Sequence, residues 1–441
     1  MKILFTVIAA AGHIHPTLPI AQQLQRRGHE VVYATGGDMV HTLENLGFHA
    51  IALLLGEVDS PEQMNEPIHK HHGRRNPYSL YIEFRYLFSV IYRARLELEK
   101  HITNWRPDLI ITDFSTPVGA SLGTVHDIPW ITTTTVPACI RTYDGTPAFL
   151  GGWGISRHFL HRWRNRLGVY ACEVFRHGVD WLFSKELRKL GLKLNLPSRH
   201  DGLYSPFAIL GLSIWEFEYA RSWPKHFHML GPLDYQHSPL SLSEDCLDFL
   251  HTTTPKIFVT LGTHLGNIKR QFVPRMIRHF GTLPFRFVIS LGGHQLNDFP
   301  PLPGNVKVVD YIAYDQILEK VDVVIHHGGM GIIYHAIAKG CPAITVPQGY
   351  DQFDNAQRIA DLGIGLRITN RQLLGRRLHR CISTILDDER YRSRTAQLAK
   401  VMANNYQPTA NAVAVIEKVL STSSPVCRDK APYVTLDDFV S

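Results

Sequence analysis

At 441 residues the chain is too long for one ordinary domain and suits two of about 200 residues each. Its charge excess of +7 comes without a long Lys/Arg run, which points away from nucleic acid and toward solubility or an anionic small-molecule substrate. The six cysteines are scattered, with no Cys-x-x-Cys pair and no close Cys/His spacing, which argues against zinc and fits reduced thiols in a cytoplasmic protein.

Lys2 followed by the apolar run to Ala11 has the form of a short signal peptide. Gly12-His13 and an amphipathic helix follow it directly, however, so cleavage would remove the first strand of a βα unit. We therefore read residues 3 to 8 as a strand and Ala9 to His15 as a turn. No apolar stretch reaches the roughly 18 residues of a membrane span. Pro16 suits a first helical turn, Leu18, Ala21 and Leu24 mark one helix face, and Gly28 ends it. Strands then recur at 29–35, 109–112, 129–132 and 208–212, which predicts a parallel sheet with helices on both sides. The polar stretch 58–76, with His69, His71 and His72, reads as a mobile loop. Turn formers over 231–241 mark a linker. A second series of strands follows at 256–261, 287–290, 306–309, 323–326 and 342–346, and a last helix spans 410–420.

Three strand exits carry candidate chemistry. Val323 to Ile325 lead into Gly328, Gly329 and Gly331, which open onto an apolar helical segment ending before Gly340. A strand, a glycine turn and a helix N-terminus bring backbone N–H groups and about half a positive charge to one point, which suits a phosphate. Asp351-Gln352 lies past the next strand, either as a ligand-binding pair or as a helix cap. Gly262 and Thr263, in Leu261-Gly-Thr263, are either a second phosphate contact or a tight βα turn. In the first half, His13 follows the first strand and Asp113 follows another, so both fall on the carboxyl edge of that sheet. Alone, His13 reads as a loop histidine and Asp113 as a helix cap. Together they allow a dyad in which the carboxylate orients the imidazole.

Gly12-His-x-x-Pro16, the Asp113 exit, Leu261-Gly-Thr263, and His326-His-Gly-Gly-x-Gly331 followed by Asp351-Gln352 resemble the nucleotide-sugar glycosyltransferases of family one, which include macrolide and flavonoid glucosyltransferases. The resemblance covers nearly the whole chain and is weakest over 58–100 and 145–200. It implies the α/β GT-B fold, with two Rossmann-like domains facing each other across a crevice. The N-terminal domain (1–235) would bind the acceptor and the C-terminal domain (236–420) the donor. A helix near the C-terminus would cross back, and a tail over 421–441 is expected to be partly disordered.

By the same resemblance, His13 is the general base and Asp113 its partner. His327, with the turn Gly329, Met330, Gly331 and Ile332, holds the donor diphosphate beside Gly262 and Thr263, while Asp351 and Gln352 hydrogen-bond the sugar. Three positions depart from the family pattern. Ile332 stands where a hydroxyl residue is usual, and in Tyr311-Ile312-Ala313-Tyr314 the two tyrosines stand where a tryptophan stacks on the donor base and a glutamine follows three positions later. The implied reaction is inverting and metal-independent. It uses no cofactor beyond the co-substrate, with a UDP-sugar favoured over a dTDP-sugar, and a small lipophilic molecule as acceptor. A nucleotide-sugar epimerase and a non-catalytic nucleotide-sugar-binding partner are the alternatives. A dinucleotide reductase is disfavoured because the first turn lacks Gly-x-Gly-x-x-Gly.

Residues 157–189 carry eight Lys/Arg against three acids, with Phe159, Trp163, Leu167 and Val174 at near-helical spacing. The plainer reading packs these apolar residues on the core beneath a solvated basic face. The sharper one makes the segment a lid or a peripheral membrane contact. Trp105, Trp153, Trp163, Trp181 and the loop at 58–76 are expected to include acceptor contacts.

Overall fold

A computed structural model of the chain describes residues 1–60, 63, 77–155, 158–195, 201–233, 242–262, 266–293, 300–428 and 434–440. Most of the polar loop at 58–76, and Thr263, lie outside them. The first half builds β1 (Lys2–Thr6), α1 (Ala11–Ile14), α2 (Leu18–Arg26), β2 (Glu30–Thr35), β3 (His49–Ala52), α3 (Pro77–Ile102), β4 (Leu109–Asp113), β5 (Trp130–Thr134), α4 (Phe159–Leu182), α5 (Ser184–Leu190), β6 (Ile209–Gly211) and β7 (Phe227–Met229). The second half continues with β8 (Lys256–Thr260), β9 (Arg286–Ser290), β10 (Val306–Val309), β11 (Val323–His326), α6 (Met330–Ala338), β12 (Ala343–Thr345), α7 (Gln352–Leu362), β13 (Gly365–Arg367), α8 (Pro408–Thr422) and α9 (Leu436–Val440).

Each half holds one all-parallel sheet, ordered β3-β2-β1-β4-β5-β6-β7 and β10-β9-β8-β11-β12-β13. The central strands are near-continuous apolar runs because helices cover both faces. In each sheet the direction of chain travel reverses between two central strands, β1 and β4 in the first and β8 and β11 in the second. There Thr6 pairs with Thr112 and Thr260 with His326. Loops leaving such a pair at its carboxyl end diverge and open a crevice. His13 and Asp113 follow one reversal, and Gly262 and His327 the other.

The two halves share a core. Ile214 and Phe217 of the first pack in one cluster with Phe258, Ile333 and Ile337 of the second. Within that contact the Glu218 carboxylate accepts from the Arg358 guanidinium at 2.9 Å, both side chains being at most 3% exposed. The Tyr219 hydroxyl donates to Asp361 at 2.8 Å. Helix α8 places Ala412, Val413, Ile416 and Val419 in the core beside α2 and β1, so the end of the chain returns to the first sheet.

Several expectations need adjustment. Residues 11–14 are helical rather than a turn, with the His13 and Ile14 N–H groups donating to Ala10 O. The short strands β3, β7 and β13 carry too few residues to set a visible period. The tail beyond 421, expected to be partly disordered, is anchored where it is described. Val426 N donates to Phe207 O, and Leu436 is fully buried beside Glu218. Single apolar anchors in polar surroundings give no periodic signal. Helix α4 reverses the plainer reading of its segment: Asn165, Gly168 and Val179 are buried while Phe159, Trp163, Leu167 and Val174 face solvent. Among the described residues, no helix is long and apolar enough to cross a membrane, and all six cysteines are unpaired.

Candidate active site

The His13 ring rides on α1, immediately past β1, and Asp113 is the last residue of β4. The His13 Nδ1 lies 3.0 Å from both carboxylate oxygens of Asp113. Ser115 donates to the same carboxylate through its N–H at 2.9 Å and through its hydroxyl. The carboxylate is 2% exposed and the imidazole 26%, so the pair is fixed from below and open on one side. With Nδ1 committed to Asp113, Nε2 is the ring atom left to meet a ligand. The Phe114 ring stacks at 5.9 Å and completes the seat. Burial pulls the His13 pKa down, but the charge and hydrogen bond of Asp113 and the charge of Asp351 outweigh it and hold it above its ordinary value of 6.5.

Asp351 belongs to the other half. It occupies the N-cap position of α7, yet its side chain makes no capping hydrogen bond. Burial pushes its carboxyl pKa up, partly offset by the Asn355 hydrogen bond and by His13. His13 and Asp351 lie close enough for the charge of each to act on the other.

The glycine turn is built around two packed groups. The His327 ring lies between Gly262 and Gly329: a Cβ at the first would come within 2.7 Å of its Cε1, and at the second within 2.5 Å of its Nε2. Gly262 also has φ +77°, so both space and backbone call for glycine there. From the far side, Asn355 Nδ2 donates to Gly328 O at 3.0 Å and to the Asp351 carboxylate at 2.7 Å. One buried amide thereby ties the turn to the candidate sugar carboxylate. Sequence reading missed Asn355, although its place one helical turn after Asp351 was a signal.

At the start of α6, Gly331 is exposed with open space above it, while the Met330 and Ile332 side chains are 8% and 2% exposed and pack in the shared core. These positions offer a ligand their first-turn N–H groups, which have no intrahelical acceptor. The residue 332 side chain points into the shared core. The buried His326 Nδ1 accepts from Gly328 N at 3.0 Å and shapes the same turn. Burial, with the neighbouring His327, lowers the His326 pKa to about 3, so it is neutral.

The aromatic positions separate. Tyr311 is half exposed, while Ile312 is buried in the shared core. Tyr314 turns inward, its hydroxyl 3.3 Å from Thr260 Oγ1 and its ring edge-on to Phe258 and His335. The Gln352 Oε1 accepts from Gln348 N at 2.9 Å and Gly349 N at 3.3 Å, which shapes that loop and leaves the amide NH2 to donate. Of the four tryptophans, Trp105 donates to Glu30 beside Lys2, at the amino end of β1 and the edge opposite His13. This removes it from the acceptor contacts. Trp153 packs beneath α4, and Trp163 and Trp181 stand on its solvent face.

Residues 275–418 match the family described as erythromycin biosynthesis protein CIII-like, C-terminal domain. The chain is 25% identical to the 4'-demethylrebeccamycin synthase of Lentzea aerocolonigenes over 411 residues, 90% of this chain and 94% of that one. It is 25% identical to the zeaxanthin glucosyltransferase of Pantoea ananas over 425 residues, 94% of this chain and 95% of that one. The glycotransferase of kitacinnamycin superposes with a TM-score of 0.69 at 20% identity, covering 95% of this chain and 98% of that one. The two-sheet architecture is GT-B.

Proposed function

We propose that this chain, a GT-B glycosyltransferase whose residues 275–418 belong to the erythromycin biosynthesis protein CIII-like C-terminal domain family, moves a hexose from a nucleotide sugar to a hydroxyl of a small lipophilic acceptor. The donor is a UDP-sugar in preference to a dTDP-sugar, the reaction inverts the anomeric centre, and no metal takes part. The observation that carries this reading is the His13–Asp113 pair, open at Nε2 and within electrostatic reach of Asp351 on the other half.

The acceptor hydroxyl attacks the anomeric carbon on the face opposite the diphosphate. As the new C–O bond forms, the bond to the phosphate oxygen breaks and the proton passes to His13 Nε2. An imidazole is too weak a base to ionise an alcohol beforehand, so proton transfer accompanies attack. Asp113 holds the ring and stabilises the imidazolium. The departing diphosphate settles on the first-turn N–H groups of α6 and on His327. Asp351 and the Gln352 amide hold the sugar hydroxyls, and Tyr311 offers a face to the base. The name of the zeaxanthin glucosyltransferase gives a carotenoid as that relative's acceptor, which supports a lipophilic acceptor here.

The test incubates the protein in EDTA with UDP- and dTDP-sugars and a panel of phenolic and aliphatic alcohols, reading products by mass. A gain of one hexose, larger with UDP-sugar, is expected. Tight nucleotide binding without product from any donor would overturn the reading, and an altered free sugar nucleotide without acceptor would replace it by epimerisation.

A further inference from the structure

Helix α4 spans 24 residues, roughly 36 Å at 1.5 Å per residue. Its outer face carries Trp163, Leu167, Tyr170, Val174 and Trp181, in steps of three, four and seven residues that keep them in one line. They are 59%, 63%, 68%, 53% and 80% exposed. Isolated apolar residues on a surface are ordinary, but a continuous stripe of this length marks a contact. The charges around it have one sign. Arg162 and Arg166 flank the stripe, and Lys185, Arg188 and Lys189 are exposed on α5, which follows directly. None of the three acids of the two helices, Glu173, Asp180 and Glu186, is exposed. Glu173 is paired with Arg141, and Asp180 accepts from Asn195.

We infer that α4 and α5 dock the protein on an anionic phospholipid surface, the aromatic and aliphatic stripe entering the headgroup region and the cations meeting lipid phosphates. Tryptophan and tyrosine suit that depth, because each has an apolar body and a polar edge. A second copy of the chain is a poorer occupant. Paired helices of this kind would set Arg162 and Arg166 against other cations with no exposed acid to answer them.

The inner face of α4 gives the docking a consequence. A Cβ at Gly168 would meet the Trp153 ring at 2.5 Å and Pro147 at 2.7 Å, so the helix rests directly on the 147–153 loop. That loop is bonded to the donor half: Phe149 N donates to Asp354, and Arg367 donates to the carbonyls of Gly151 and Gly152. Docking through α4 brings the lipid phase, where a lipophilic acceptor accumulates, beside the loop that leads to α7 and Asp351.

The test is co-sedimentation with vesicles of phosphatidylcholine alone or containing phosphatidylglycerol, run with sedimentation velocity in the absence of lipid. The wild type is expected to pellet with the phosphatidylglycerol vesicles and to be released by salt. The double variant Leu167→Glu/Tyr170→Glu should stay in solution with unchanged melting temperature. The Arg162→Gln/Arg166→Gln variant should bind about fivefold more weakly per cation removed. Wild-type protein remaining in the supernatant, or undiminished binding by Leu167→Glu/Tyr170→Glu, would overturn the inference. A dimer that this double variant dissociates would assign the stripe to a second copy instead. None of these readings depends on sugar transfer.

Discussion

His13 is raised above 6.5 by partners from both halves of the chain, Asp113 beneath it and Asp351 across from it. A base is useless while protonated, so kcat/KM should climb with pH through an acid limb lying above 6.5. Removing the Asp351 charge removes one of the terms that raise the pKa, so Asp351→Asn should move that limb to lower pH. A pH–rate profile of the two proteins checks this, and a limb displaced upward in the variant would contradict it. Asp113→Asn keeps the shape but loses the charge that supports the imidazolium. It should lower kcat by on the order of a hundred- to ten-thousandfold with little change in donor KM; a loss confined to KM would mean that Asp113 serves binding. The residues of this pair were legible in sequence because both follow strands. Their 3.0 Å approach was not, since it depends on β1 and β4 being neighbours. The inward turn of Tyr314 and Ile332 was equally hidden, because spacing along a helix or loop does not say which side meets the core.

The glycine turn and α7 act as one element. Asn355 joins Gly328 O to Asp351, so Asn355→Ala should let both relax. A buried hydrogen bond to a charged group is worth about 1.5–3 kcal/mol, which sets the expected rise in donor KM at tenfold or more, with acceptor KM unchanged. Initial-rate measurements over both substrates decide this, and equal changes in the two constants would reduce Asn355 to a general support of the fold. At this scale the sequence was most informative for the long apolar strands and for the turn that follows β11. It failed where orientation was at issue. The period of Phe159, Trp163 and Leu167 announces a helix face, but only the packing of Gly168 on Trp153 tells that this face is the outer one.

Across the whole molecule, the crevice depends on how the halves are joined, and among the described residues Glu218–Arg358 is a fully buried ion pair between them. Removing one partner leaves the other charge unpaired in the core, so Glu218→Ala should cost about 3–5 kcal/mol in urea unfolding. A loss under about 1 kcal/mol would show that the shared apolar cluster holds the halves unaided. Helix α8, returning to α2, ties the end of the second half to the start of the first. The central claim is that one half supplies the base and the other holds the leaving nucleotide. It is tested most directly by His13→Ala, measured for sugar transfer and for UDP binding on the same preparation. Transfer should fall by on the order of a hundred- to ten-thousandfold while the affinity for UDP stays as in the wild type; full transfer, or a parallel loss of UDP affinity, would contradict it.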